Sequence, residues 1–91
     1  MSSKEKVKVE VDLLEETADN RKIVLYNDDV NTFDDVIEAL MKICEHDWIQ
    51  AEQCTLLVHL KGRCEVKKGT FEVLKPKYDA LVDRGLTAEI Q

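Results

Sequence analysis

The side chains best suited to chemistry in this chain are an acidic cluster, Asn27-Asp28-Asp29, the histidines His46 and His59, and the cysteines Cys44, Cys54 and Cys64. Thiol catalysis requires a thiolate, a base within hydrogen-bond reach and an oxyanion site, and no local pattern assembles them. The cysteines fall on expected apolar faces or in a strand, where a thiol packs as a small hydrophobe. They are odd in number and lack a Cys-x-x-Cys pair, so they read as reduced. Cys44-x-His46 offers two metal ligands with no second pair at zinc spacing. The acidic turn lacks the glycine and distal glutamate of a calcium loop. No glycine-rich phosphate loop occurs either. A binding protein without cofactor or metal is therefore expected, not an enzyme. The remaining constellation is Asn27-Asp28-Asp29 with His59. On residue types alone it reads as helix capping plus a structural or solvated histidine more readily than as a site.

The elements that must hold these groups follow from the pattern around them. Ile23-Val24-Leu25-Tyr26 is a short apolar run suited to a buried strand. It breaks at Asn27-Asp28-Asp29, whose side chains bond nearby backbone N–H groups and favour turns. Phe33, Val36, Ile37, Leu40, Met41 and Cys44 then line one face of a helix beginning near Thr32. The junction thus gathers carboxylates and an amide next to apolar residues. Asp47 followed by Gln50 resembles a capping box, so a second helix should start at Trp48. Its stripe is Trp48, Ala51, Cys54, Thr55 and Val58, with Leu57 adjoining, His59 in the last turn and Gly62 at the C′ position. Arg63 to Lys68 reads as a strand, and Thr70 caps a third helix that Pro76 should open or kink. Arg84-Gly85 ends it, and Leu86 to Ile90 suits a last strand. The order β-α-α-β-α-β predicts an α+β, two-layer sandwich of three helices on a small three-stranded antiparallel sheet.

Ninety-one residues provide one modest core and a single domain. Nineteen acidic against thirteen basic residues give a net charge of −6, which repels phosphate backbones and argues against nucleic acid. No apolar run approaches the ~18 residues of a membrane span, and the first residues lack the order of a signal peptide, so a cytoplasmic protein is expected. Residues 1–20, with nine charged side chains and no aromatic residue, read as a flexible arm ahead of a domain at 21–91. Alternation at Val7, Val9 and Val11 could add an edge strand.

Val24-Leu25-Tyr26-Asn27-Asp28-Asp29, an amphipathic helix, and then Leu57-Val58-His59-Leu60-Lys61-Gly62 resemble the ClpS family of protease adaptors. Those proteins carry a strand ending in Asn-Asp-Asp and a second helix ending in Val-His-x-x-Gly. The spacing agrees without a gap from Asn27 to Gly62, and Thr70-x-Glu72-Val73, Lys77 and Leu86 extend the likeness over roughly residues 21–91. The resemblance implies recognition of N-degrons: substrates whose first residue is Leu, Phe, Tyr or Trp are held and delivered to a hexameric Clp ATPase and its protease. By position, Asn27, Asp29 and His59 would surround the substrate α-amino group. Leu25, Asn31, Phe33, Val36, Thr55, Val58 and Leu86 would line the side-chain pocket. Glu72 and Lys77 would face the N-terminal domain of the ATPase, with the arm presented to it. The adaptor would act as a monomer.

An ammonium group has three donors and no acceptor, and a carboxylate, an amide oxygen and an unprotonated imidazole nitrogen would supply three acceptors. Departures from the family pattern fall at Asn31, usually Thr, and at Phe33 and Thr55, usually Met. The strand after Gly62 is also more charged, and Pro76 lies near the ATPase face. The alternative is an interaction domain of the same fold with no amine pocket, resembling the C-terminal domain of the ribosomal stalk, in which Asn27-Asp28-Asp29 only cap a helix.

Overall fold

The computed structural model describes residues 20–91. The arm expected at 1–20 and the strand considered at Val7, Val9 and Val11 lie outside the described residues, Asn20 excepted. The elements run β1 (Arg21–Tyr26), α1 (Phe33–Ile43), α2 (Trp48–Lys61), β2 (Arg63–Gly69), α3 (Phe71–Asp83) and β3 (Thr87–Ile90). This is the expected β-α-α-β-α-β order, with one antiparallel sheet in the order β2-β1-β3.

The apolar run of β1 earns the central place because both edges of that strand are paired. Leu25 lies opposite Cys64 on one side and Ala88 on the other, while Tyr26 lies opposite Arg63 and Thr87. Ile23 and Leu25 share a face by strand alternation and are completely buried. Each contributes about 1.5–3 kcal/mol by leaving water. They join Val36, Leu40, Leu74 and Leu81 in the core formed where the helices pack.

Short polar residues start every helix as the pattern requires. Thr32 Oγ1 accepts from the N–H of Asp35, Asp47 from that of Gln50 and Thr70 from that of Val73. Gly62 ends α2 at φ 92°, a left-handed conformation that glycine adopts without steric cost, and its N–H bonds to Val58 O.

Two local expectations need correction. Helix α3 runs unbroken through Pro76. The fully buried Leu74 and Leu81 hold it to the core, and Glu72, whose carbonyl loses its partner N–H, is exposed to water. The apolar stripe of α2 is also narrower than its spacing suggests. Ala51, Thr55 and Val58 are buried, whereas Trp48 and Leu57 are exposed. The periodicity names a face of the helix but not how far the neighbouring elements cover it.

Candidate functional site

The end of β1 and the end of α2 are tied together through the backbone: the N–H of Asn27 donates to Gly62 O at 2.9 Å. That bond brings the acidic loop alongside the last turn of α2, which carries Val58 and His59. Between them, and roofed by the first turns of α1, lies a cavity of about 210 Å³. Its polar wall includes Asn27, Asp29 and His59. Its apolar wall includes Phe33, Val36 and Val58, with Asn31 and Thr55 completing it. Eight of the ten residues expected at the amine and side-chain subsites thus border one space. Leu25 and Leu86 do not line it: both are buried in the core, Leu25 on the middle strand of the sheet.

Asp28 and Thr32 also line this cavity, and neither belongs to the expected set. Asp28 closes the loop upon itself. Its Oδ1 accepts from the backbone N–H groups of Val30 and Asn31, both at 2.8 Å, and its Oδ2 from Asn31 Nδ2 at 3.1 Å. Burial pushes its carboxyl upward, but those three hydrogen bonds outweigh it and hold the group below the ordinary carboxylate range. Asn31 Nδ2 also donates to Gly85 O at 2.9 Å, which fastens the loop to the turn between α3 and β3. The run Asp28-x-x-Asn31 was the available signal, since an Asx side chain bonding two and three residues ahead is a common turn device.

This arrangement bears on the capping alternative. The N-cap of α1 is Thr32, so none of Asn27, Asp28 and Asp29 caps that helix. Asp28 has a structural task inside the loop. Asn27, Asp29 and His59 are exposed, and their side chains have no hydrogen-bond or ion-pair partner among the described residues. Thr55 is almost fully buried at 3% exposure, and its hydroxyl donates to Ala51 O at 2.7 Å.

At the other end of α1 the polar groups are closed off. His46, 6% exposed, holds Val66 O at 2.7 Å through Nε2. A carbonyl can only accept, so Nε2 carries a hydrogen and donates it; Nδ1 is buried without a partner among the described residues. Lys77 donates to Ile43 O at 3.2 Å and lies 3.9 Å from Glu45, so its ammonium is engaged with the C-terminus of α1. Glu72, by contrast, is exposed and flanked by the exposed apolar side chains of Phe71 and Val73.

Two of the three thiols are held protonated by their surroundings. Burial, only partly opposed by the nearby charges of Lys77 and Lys67, pushes Cys44 up to about 11. Burial followed by the neighbouring Cys54 thiol pushes Cys64 up to about 12. Both therefore remain thiols at neutral pH. No three His, Cys, Asp or Glu side chains gather as a metal site among the described residues, and no described helix is long and apolar enough to cross a membrane.

Comparison with known proteins points the same way. Residues 16–89 match the family model described as ATP-dependent Clp protease adaptor protein ClpS. A protein of Acetivibrio thermocellus named ATP-dependent Clp protease adapter protein ClpS is 33% identical over 84 residues, spanning 92% of this chain and 84% of its own length. A protein of the same name from Campylobacter jejuni is 37% identical over 62 residues, 68% of this chain and 65% of the relative. Among solved structures, Agrobacterium tumefaciens ClpS2 bound to L-phenylalaninamide superposes with a TM-score of 0.68 at 18% identity. It covers 80% of this chain and 98% of its own.

Proposed function

This chain belongs to the ClpS family of ATP-dependent Clp protease adaptors, and from that footing we propose that its cavity receives the first residue of a substrate protein, with a bulky hydrophobic side chain and a free α-amino group. The substrate so held, an N-degron beginning with Leu, Phe, Tyr or Trp, is delivered to a Clp AAA+ ATPase and its protease. The adaptor performs no catalytic act.

One observation carries the reading: the acceptors Asn27, Asp29 and His59, whose side chains have no partners among the described residues, border the same space as Phe33, Val36 and Val58. An α-ammonium group presents three N–H donors, and charge-assisted hydrogen bonds contribute about 1.5–3 kcal/mol each. Burying a leucine or phenylalanine side chain adds about 1.5–3 kcal/mol. After the cost of association, an affinity of about micromolar order results. The volume supports the same scale. A cavity of about 210 Å³ is smaller than the ~300–1,000 Å³ usual for drug-sized ligands and suits a single side chain. The ClpS2 structure with L-phenylalaninamide, a free amine beside an aromatic ring, has a ligand of the same chemistry.

The surface of α3 around Glu72 is the proposed contact with the N-terminal domain of the ATPase. Phe71 and Val73 supply exposed apolar area beside the charge, while Lys77, largely covered by its bond to Ile43 O, contributes chiefly by fixing that edge.

The deciding experiment compares peptides that differ only at the N-terminus. A peptide beginning with free Leu or Phe should bind, and its N-acetylated form should not, because acetylation removes the charge and two of the donors. Equal binding of the two would overturn the proposal.

A further inference from the structure

We infer that the pocket selects, among bulky first residues, those whose side chain carries a hydrogen-bond donor, tyrosine and tryptophan, over phenylalanine and leucine. This rests on the N-terminal-residue reading above and specifies the substrate class within it.

The inference comes from where two side chains direct their hydrogens. Asn31 lines the cavity, and its amide faces Asp28 Oδ2 at 3.1 Å and Gly85 O at 2.9 Å. A carboxylate and a carbonyl accept and cannot donate, so the group facing them is the NH₂ and the remaining group is Oδ1. Both Asn31 donors are engaged, and its oxygen has no partner among the described residues. Thr55, on the α2 side of the same cavity, donates its single hydroxyl hydrogen to Ala51 O at 2.7 Å. What it retains is a lone pair. Asn31 and Thr55, which complete the otherwise apolar wall of Phe33, Val36 and Val58, therefore have lone pairs and no hydrogens left to offer.

A phenol O–H or an indole N–H entering this wall completes a hydrogen bond. A phenyl ring or an isobutyl group packed against the half-buried Asn31 takes its amide oxygen out of water and returns nothing. Polar sites discriminate against analogues lacking the donor because their own groups are left unpaired. Asn31 is half-buried rather than sealed, so the discrimination is that of one ordinary hydrogen bond, about three- to tenfold in affinity.

The test uses the full chain and free-amine peptides identical except for the first residue: tyrosine, phenylalanine and 4-fluorophenylalanine, the last filling the para position without a donor. Binding is read by fluorescence anisotropy. Tyrosine should bind about three- to tenfold more tightly than phenylalanine, with 4-fluorophenylalanine at the phenylalanine level. In the double variant Asn31→Ala/Thr55→Val, which leaves no side-chain acceptor at either position, the tyrosine-to-phenylalanine ratio should fall toward one. Equal affinities for tyrosine and phenylalanine in the unaltered chain would overturn this inference and leave the amine reading intact. A ratio that persists in the double variant would overturn the assignment to Asn31 and Thr55. Failure of every free-amine peptide to bind would overturn the underlying reading and this inference with it.

Discussion

Two junctions in this small fold use the same chemical vocabulary to opposite ends. Between β1 and α1, residues 27–32 place carboxylates near His59 beside a cavity of about 210 Å³. Between α1 and α2, residues 44–47 place Glu45 and His46 beside a larger one of about 330 Å³. At the second junction the polar groups, His46 Nδ1 excepted, answer one another. His46 is bonded to Val66 O, and Glu45 is held by Lys67 at 3.2 Å and Lys77 at 3.9 Å. The Lys67 hydrogen bond, then the Lys77 and Lys67 charges, keep its carboxyl below the ordinary range. At the first junction the side chains of Asn27, Asp29 and His59 are exposed and have no partner among the described residues, whereas at the second the unpartnered atom, His46 Nδ1, is buried. Cavity size and a nearby histidine are common to both; what differs is whether the unpaired acceptors are open to a ligand.

The largest effects that would break this contrast come from exchanging the histidines. His46→Ala strips Val66 O of its buried donor and opens a void, so it should cost about 2–4 kcal/mol in a denaturant titration. Its folded fraction should still bind free-amine peptides. His59→Ala should do the reverse: peptide affinity about ten- to a hundredfold weaker, the loss of one charge-assisted bond, with stability changed by less than about 0.5 kcal/mol. If His46→Ala removed binding from fully folded protein while His59→Ala did not, the open and closed junctions would have been assigned the wrong way round.

The extent to which this contrast can be read from sequence depends on how far apart the partners lie. Local chemistry is legible. Thr32, Asp47 and Thr70 cap their helices, Gly62 adopts a positive φ, and the apolar run 23–26 becomes the central strand, all set by neighbours within a few residues. Long-range partners are not. His46 is bonded to a carbonyl twenty positions away, Asn31 to one fifty-four positions away, and neither bond leaves a local trace. Leu25 and Leu86, assigned to the pocket by the family resemblance, are buried in the core and do not border the cavity: a match of positions does not say which side chains the cavity reaches. The grouping of Asn27 and Asp29 with His59 came from a resemblance spanning two motifs, since composition alone read them as capping.

Each junction also has a pH signature. In the closed one, Cys44 is pushed up to about 11 by burial, from an unfolded value near 9.0. The folded chain then keeps a proton that the unfolded chain releases, so Cys44 withdraws stability as pH rises from about 9 toward 11. Replacing Cys44 by alanine should lower stability at pH 7 by about 1–2 kcal/mol, the cost of a small buried truncation, and flatten this part of the alkaline decline. Iodoacetamide at neutral pH should label Cys44 slowly in the native protein and rapidly in urea. Rapid native labelling would mean that the α1–α2 junction opens.

The smallest effect belongs to Asp28, the one carboxylate of the open junction that the fold does answer. Its lowered carboxyl means that the stabilisation it provides is present above the unfolded value of 3.8 and lost as pH falls through the lower, folded value. Asp28→Asn keeps one acceptor for the N–H groups of Val30 and Asn31 but turns an NH₂ toward the Asn31 amide. The loop should loosen without opening. The expected cost is less than about 1 kcal/mol at pH 7, because the group is only partly buried, together with a two- to threefold loss of peptide affinity. Below about pH 4 the variant and the original chain should converge in stability, since protonation removes from Asp28 the charge that the substitution has already removed. Were Asp28→Asn instead to weaken peptide binding as severely as His59→Ala, Asp28 would be a direct partner of the ammonium group. The division within the acidic cluster, Asp28 for the loop and Asp29 with Asn27 for the ligand, would then have to be redrawn.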